Sequence, residues 1–101
     1  LPENFQDGWV LQFRGAQGAN YQYSFTGSGG TAGSGSGNVP DSDASDPFHL
    51  SLFGSPSSLS VDVTYTAGGD GEIVVRLYHD AVEKDEISLG VNDTKTLSGS
   101  Q

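Results

Sequence analysis

The sequence contains no cysteine and no methionine, and only four of its 101 residues are basic. The missing cysteines exclude disulfide bonds, thiolate metal ligands and cysteine nucleophiles. No apolar run reaches the roughly 18 residues that a membrane-spanning helix needs, and no basic-then-apolar leader opens the chain. Thirteen acidic residues give a net charge of −9, which repels phosphate backbones. We therefore expect no membrane insertion, no nucleic-acid partner, and an export signal that has been removed.

The segment from 27 to 37 is rich in glycine and contains no aromatic or large aliphatic residue. Six of the eleven residues from 27 to 37 are glycine, in the sequence GSGGTAGSGSG. A segment of this composition is typical of a flexible coil that joins two strand ends. It can be a natural loop, but its resemblance to laboratory linkers favours an engineered join. The sequence thus predicts one domain over 1–101, divided into a hairpin at 1–26, a flexible linker at 27–37, and the remaining strands at 38–101.

Apolar and polar residues alternate with the period of a β-strand on both sides of this segment. The clear alternating runs are Trp9–Phe13, Tyr21–Phe25, Phe48–Leu52, Leu59–Tyr65 and Ile73–Leu77, with weaker ones at Glu86–Leu89 and Thr94–Leu97. The first two runs predict a hairpin with aromatic inner faces, and Asp80–Asp85 could form one helical turn. About seven short strands separated by Gly/Asp/Ser turns predict an all-β fold, a small antiparallel β-sandwich or jelly roll.

The strand motifs make a familiar pattern when residues 38–101 are placed before residues 1–26. The order becomes an acidic lead-in, FHLSL (48–52), LSVDVTYT (59–66), a Gly/Asp turn, EIVVRLYHD (72–80) and GWVLQFRGAQGANYQYSF (8–25). This order resembles the bacterial pre-peptidase C-terminal domain family. Gly8-Trp9 and Arg14-Gly15 match its penultimate strand and exit, and Tyr21 and Tyr23 match its final strand.

The resemblance implies a β-sandwich in permuted or split order, with Gln101 originally followed by Leu1. Either the chain is a circular permutant, or its parent carries a second domain inserted between these residues, as in large calcium-dependent bacterial adhesins. Close surface termini make such rewiring tolerable. The resemblance also implies an extracellular, cell-surface location and neighbouring domains of the parent protein as partners. We expect a monomer.

An acidic cluster, Asp41, Asp43 and Asp46, is the candidate metal site. Loop carboxylates spaced two and three residues apart suit Ca²⁺, which takes six to eight oxygen ligands. By analogy with the family, Asp70 would be their partner, with Glu72 behind it. The alternative is a solvated acidic segment that binds nothing. Ca²⁺ is the one cofactor that the sequence indicates.

The aromatic residues offer a second candidate site. Trp9, Tyr21 and Tyr23 alternate in phase with Leu11, Phe13 and Phe25, which indicates the core. Tyr78 is out of phase with its strand's apolar face, which makes it the candidate for an exposed, ligand-binding aromatic. The two histidines, His49 and His79, are interpreted as surface residues.

Two functions remain open. The chain carries no GxSxG nucleophile elbow and no catalytic constellation, so we do not expect an enzyme. The leading interpretation is a noncatalytic accessory or structural module of a secreted bacterial protein, stiffened by Ca²⁺. The alternative is a carbohydrate- or matrix-binding module that uses an exposed aromatic sheet face.

Overall fold

The part of the chain that the structure describes forms eight antiparallel strands in two sheets. The computed structural model describes residues 8–15, 17–40, 47–52, 55–69 and 71–101. The strands are β1 (Trp9–Arg14), β2 (Asn20–Gly27), β3 (Ala32–Asn38), β4 (Phe48–Ser51), β5 (Ser58–Ala67), β6 (Ile73–His79), β7 (Val82–Leu89) and β8 (Thr94–Ser100). Sheet A has the order β4-β1-β6-β7, and sheet B the order β3-β2-β5-β8. The predicted all-β antiparallel sandwich is confirmed.

The core lies between the inner faces of the two sheets. Its residues follow the period-two alternation, because successive side chains of a strand point to opposite faces. Three of the inner rows are Trp9, Leu11 and Phe13; Leu59, Val61, Val63 and Tyr65; and Ile73, Val75 and Leu77, all of them buried. Each fully buried side chain of this kind contributes about 1.5–3 kcal/mol relative to an exposed one.

The first two strands do not form the predicted hairpin. β1 pairs with β4 and β6 in sheet A, whereas β2 pairs with β3 and β5 in sheet B. Their aromatic faces meet across the core instead of lying side by side, and the rings of Phe13 and Tyr21 are 4.6 Å apart. The alternation identified the apolar faces correctly but carries no information about which strand is the hydrogen-bonded neighbour. Both strands nevertheless pair with strands beyond the glycine-rich segment.

The segment from 27 to 37 is not a flexible coil, which corrects the sequence prediction. Residues Ser28–Gly30 form a turn of 3-10 helix, and Ala32–Asn38 form the edge strand β3, paired with β2 along its whole length. The end of the strand is fixed by Val39, which is buried, accepts a hydrogen bond from Gly18 N at 2.8 Å and donates one to Ala19 O at 2.8 Å.

Aromatic side chains of β2 explain why a segment made mostly of glycine and serine forms the strand β3. Tyr21 is paired with Gly37 and Tyr23 with Gly35. A Cβ atom on either glycine would lie 2.6 Å from the hydroxyl oxygen of the paired tyrosine, so the rings cover the glycine backbone directly. Aromatic residues placed across from glycines stabilise a sheet in this way. The glycines therefore make room for rings that β2 supplies.

The segment Asp80–Asp85 is not a helical turn. Asp80 and Ala81 have φ values of 47° and 67°, the left-handed values of a two-residue hairpin turn. His79 and Val82 pair on either side of it, and β7 then runs from Val82 to Leu89. The weak strand predicted at Glu86–Leu89 is therefore the second half of a longer one.

Candidate binding surface

The predicted metal ligands Asp41, Asp43, Asp46 and Asp70 all lie outside the described residues. Glu72, the residue predicted behind them, is described and exposed. Across the ranges that the structure describes, no three His, Cys, Asp or Glu side chains are grouped closely enough to hold a metal ion. The Ca²⁺ site thus stays a prediction from the sequence.

Tyr78, the predicted exposed aromatic, is buried, with only 8% of its surface accessible. It lies on β6 opposite Val10 of β1, which is fully buried as well. Neither residue belongs to the core between the sheets, so the outer face of sheet A is covered at this point. The alternation placed Tyr78 correctly on the outer face of sheet A. It does not show whether that face is exposed to solvent. Tyr78 is therefore not available as a ligand platform.

The in-phase aromatics behave as predicted. Trp9 and Tyr21 are buried in the core, and Tyr23 is partly buried against it. The indole Nε1 of Trp9 donates a hydrogen bond to the carbonyl oxygen of Pro56 at 2.9 Å, which satisfies its one polar atom inside the core. Burial raises the pKa of Tyr21, and the neighbouring Tyr23 adds to the increase.

His79 is not the surface residue that the sequence suggested. It continues the inner row of β6, its side chain is only 14% exposed, and its ring lies 4.6 Å from that of Trp9. Its Nδ1 is 3.6 Å from a carboxylate oxygen of Asp80. The other oxygen of Asp80 accepts a hydrogen bond from Gly8 N at 2.7 Å. This pair thus ties the start of β1 to the end of β6.

A row of polar residues crosses the outer face of sheet A. Gln12 is paired with His49 on one side and Arg76 on the other, and Arg76 with Glu86. The side-chain nitrogens of Gln12 and His49 are 3.3 Å apart. Arg76 makes a salt bridge and hydrogen bond with Glu86 and lies 3.2 Å from Glu83. The positive charge of Arg76 is therefore matched locally.

The outer face of sheet B carries an open groove of about 400 Å³. Three adjacent strands, β3, β2 and β5, supply its side chains. They form two rungs across the sheet, one of Ser36, Gln22 and Thr64 and the other of Ser34, Ser24 and Asp62. These six side chains are polar and none is basic, and Tyr23 and Gly35, which lie between the two rungs, also line the groove.

Strand β8 holds two of the groove residues in place. Thr96 Oγ1 donates a hydrogen bond to Oδ1 of Asp62 at 2.6 Å. The hydroxyl oxygens of Thr64 and Thr94 are 2.8 Å apart, within hydrogen-bond distance. A side chain that is already held loses less conformational entropy when a ligand binds. The second carboxylate oxygen of Asp62, Oδ2, is not used by the bond to Thr96.

Sequence reasoning missed this groove, because Ser34 and Ser36 were assigned to a linker. The signal that could have found them is the alternation of glycine and serine from 33 to 37, in phase with the aromatic alternation of β2. Period two is a strand pattern even when the inner residues are glycine.

Comparisons with known proteins give no identity. No protein-family model, no curated protein and no solved structure matches this chain. Within the described ranges, no helix is long and apolar enough to cross a membrane.

Proposed function

We propose that this chain is a noncatalytic accessory module of a secreted bacterial protein, an adhesin or a hydrolase, and that it scaffolds or docks the neighbouring domains. The observation that supports this most is the packing of both sheets onto one core of apolar side chains. The apolar side chains of the interior therefore stabilise the fold, and polar side chains occupy the broad outer face of sheet B. Such a body keeps its shape when other domains are attached to it.

A second observation supports the split order of the parent chain. Trp9 Nε1 and Gln101 Nε2 donate hydrogen bonds to the same carbonyl oxygen, that of Pro56, at 2.9 and 2.8 Å. The side chains of Trp9, in the first strand, and of Gln101 therefore meet at one end of the sandwich. This proximity is what a parent chain running from Gln101 towards Trp9, or interrupted there by a second domain, requires.

A panel of ester, peptide and glycoside substrates tests the noncatalytic assignment. We expect no turnover above the buffer rate. His79 and Asp80 are the one His–Asp pair among the described residues, so His79→Ala is the informative variant. Turnover by the wild type that His79→Ala removes would refute the proposal.

Ca²⁺ is the proposed stabilising ion, held by Asp41, Asp43, Asp46 and Asp70. A cation bound only to the folded state stabilises it by mass action and offsets part of the self-repulsion of a chain with charge −9. Isothermal titration calorimetry should show Ca²⁺ uptake by the wild type and weaker uptake by an Asp41→Ala/Asp43→Ala variant.

A matched control for this titration changes the net charge equally elsewhere. Glu83→Ala/Glu86→Ala removes two carboxylates of β7 and should bind Ca²⁺ as the wild type does. Uptake reduced equally in both variants would mean diffuse attraction by net charge. No heat at millimolar Ca²⁺ would end the calcium proposal while leaving the scaffold proposal intact.

The alternative function, a carbohydrate- or matrix-binding module, is not supported by its original residue, since Tyr78 is buried. A glycan-binding role would need a different surface.

A further inference from the structure

We infer that the groove on the outer face of sheet B is a binding site for a neutral sugar, with Asp62 as its principal hydrogen-bond acceptor. This goes beyond the scaffold function and uses none of the residues proposed for Ca²⁺. The inference rests on the size of the groove, the chemistry of its six side chains, and the way in which neighbouring strands hold them.

The groove is large enough to accept a single sugar ring. Its six side chains stand on three adjacent strands in two rungs. Strand spacing and rise give a grid of about 10 Å across the strands and about 7 Å along them. The volume of about 400 Å³ falls within the range of small-molecule sites, about 300–1,000 Å³.

A hollow forms here because the side chains are short. Ser24 lies on β2, and Ser34 and Ser36 lie on the adjacent strand β3, on either side of Gly35. The other polar side chains of the lining, Gln22, Thr64 and Asp62, are longer. Larger residues at the serine positions would turn the hollow into a flat or convex surface.

The chemistry of the lining selects the class of ligand. Four hydroxyls and one amide can each donate and accept hydrogen bonds, and the Asp62 carboxylate accepts only. A sugar ring presents hydroxyls that donate and accept around its edge, which complements such a set. An anionic ligand is disfavoured, since Asp62 is the one charged group in the lining and the whole chain carries −9.

Asp62 provides the strongest single contact. Its Oδ1 is occupied by Thr96, which orients the carboxylate and leaves Oδ2 to accept from a sugar hydroxyl. Hydrogen bonds to a charged acceptor are stronger than neutral ones. Because the groove is open and Tyr23, the aromatic residue of its lining, packs against the core, we expect a dissociation constant on the order of 1–10 mM for a monosaccharide.

The test is a titration followed by ¹H–¹⁵N correlation spectra. The probes are glucose, galactose, mannose and N-acetylglucosamine, each to about 50 mM. At least one should shift the amide signals of Ser24, Ser34 and Asp62. Glycerol at the same hydroxyl concentration and glucose 6-phosphate serve as ligand controls and should give no saturable shift.

Three variants make the test specific. Ser24→Leu fills the hollow and should weaken binding about tenfold or more. Asp62→Asn keeps the shape, removes the charge and should weaken binding about tenfold. Thr26→Leu places the same side chain on the same outer face of β2, outside the groove, and should bind within about twofold of the wild type.

Several results would overturn the inference. They are the absence of saturable shifts with all four sugars, shifts located away from the groove, an equal response to glycerol, and unchanged affinity in both Ser24→Leu and Asp62→Asn. The dispersion of each variant's own spectrum shows whether it is folded, so lost binding in an unfolded variant is not counted as support. Failure here leaves the scaffold proposal standing, because that proposal does not use the groove.

Discussion

Gly35 lies where the edge strand β3 passes beneath the aromatic side chains of β2, and its replacement by alanine tests the order of the whole glycine-rich segment. A Cβ atom there would approach Tyr23 Oη to 2.6 Å and two ring carbons to 2.8 Å. Contacts this short force the ring or the strand to move. The Tyr23 ring stacks between those of Tyr21 and Phe25, with centroids 6.3 Å away on each side, so it cannot turn aside without disturbing both.

Two opposing contributions set the expected magnitude. Overpacking a well-packed site costs about 1–3 kcal/mol. Replacing glycine by alanine also reduces the entropy of the unfolded chain, which stabilises the folded state by about 0.4–1 kcal/mol where the backbone allows it. We therefore expect Gly35→Ala to lower the free energy of unfolding by about 1–2 kcal/mol. For a domain of this length that corresponds to a fall in Tm of roughly 5–15 °C.

The assay is urea unfolding of the wild type, Gly35→Ala, Tyr23→Ala and the double variant. If ring and methyl group collide, Gly35→Ala should cost little once Tyr23 is already alanine, which gives a coupling energy of about 1–2 kcal/mol. Gly71→Ala is the matched control, because its added Cβ would meet no atom within 4 Å. A Gly35→Ala variant as stable as Gly71→Ala, or more so, would show that the segment is a tether and would refute the edge strand.

Three further predictions concern the core and its polar contacts. Leu11→Ala, at a fully buried position of β1, should lower the free energy of unfolding by about 2–5 kcal/mol in urea; a loss under about 1 kcal/mol would contradict the packing. Tyr65→Phe removes the 2.6 Å hydrogen bond to Gly68 O and should cost about 0.5–1.5 kcal/mol in the same assay. Burial and Tyr23 raise the pKa of Tyr21, so its neutral phenol is favoured in the folded state. Its contribution to stability should be complete below about pH 10 and lost as the pH rises through the folded pKa. Urea midpoints from about pH 8 to about pH 11 should fall less steeply for Tyr21→Phe, and equal slopes would contradict this.

The strands themselves were predictable, because period two is a local property of extended backbone. In β5 the sequence places Leu59, Val61, Val63 and Tyr65 on one face, and the structure buries all four. Period two also places His79 in the inner row of β6, so its interpretation as a surface residue was wrong even by this rule. Its burial depends on the ring of Trp9, a residue 70 positions away.

The edge strand shows a different limit of sequence reasoning. A run of glycine and serine has little tendency to form a strand by itself, and residues 32–38 become one because Tyr21 and Tyr23 cover their glycines. The aromatic alternation of β2 predicts a strand, whereas the composition of the glycine-rich segment opposite it predicts a linker. The strand β3 forms because the two segments pair, and neither segment predicts that pairing by itself.

The sequence by itself determined the fold class, the apolar faces of the strands and the acidic charge, since these follow from composition and from the geometry of single strands. The tertiary structure decided which strands are neighbours, that the outer face of sheet A is closed over Tyr78, and that serines of β3 join Ser24 and Asp62 in one groove. Those features depend on residues far apart in the chain, such as Ser34 and Asp62, which only the register of three paired strands brings into one row.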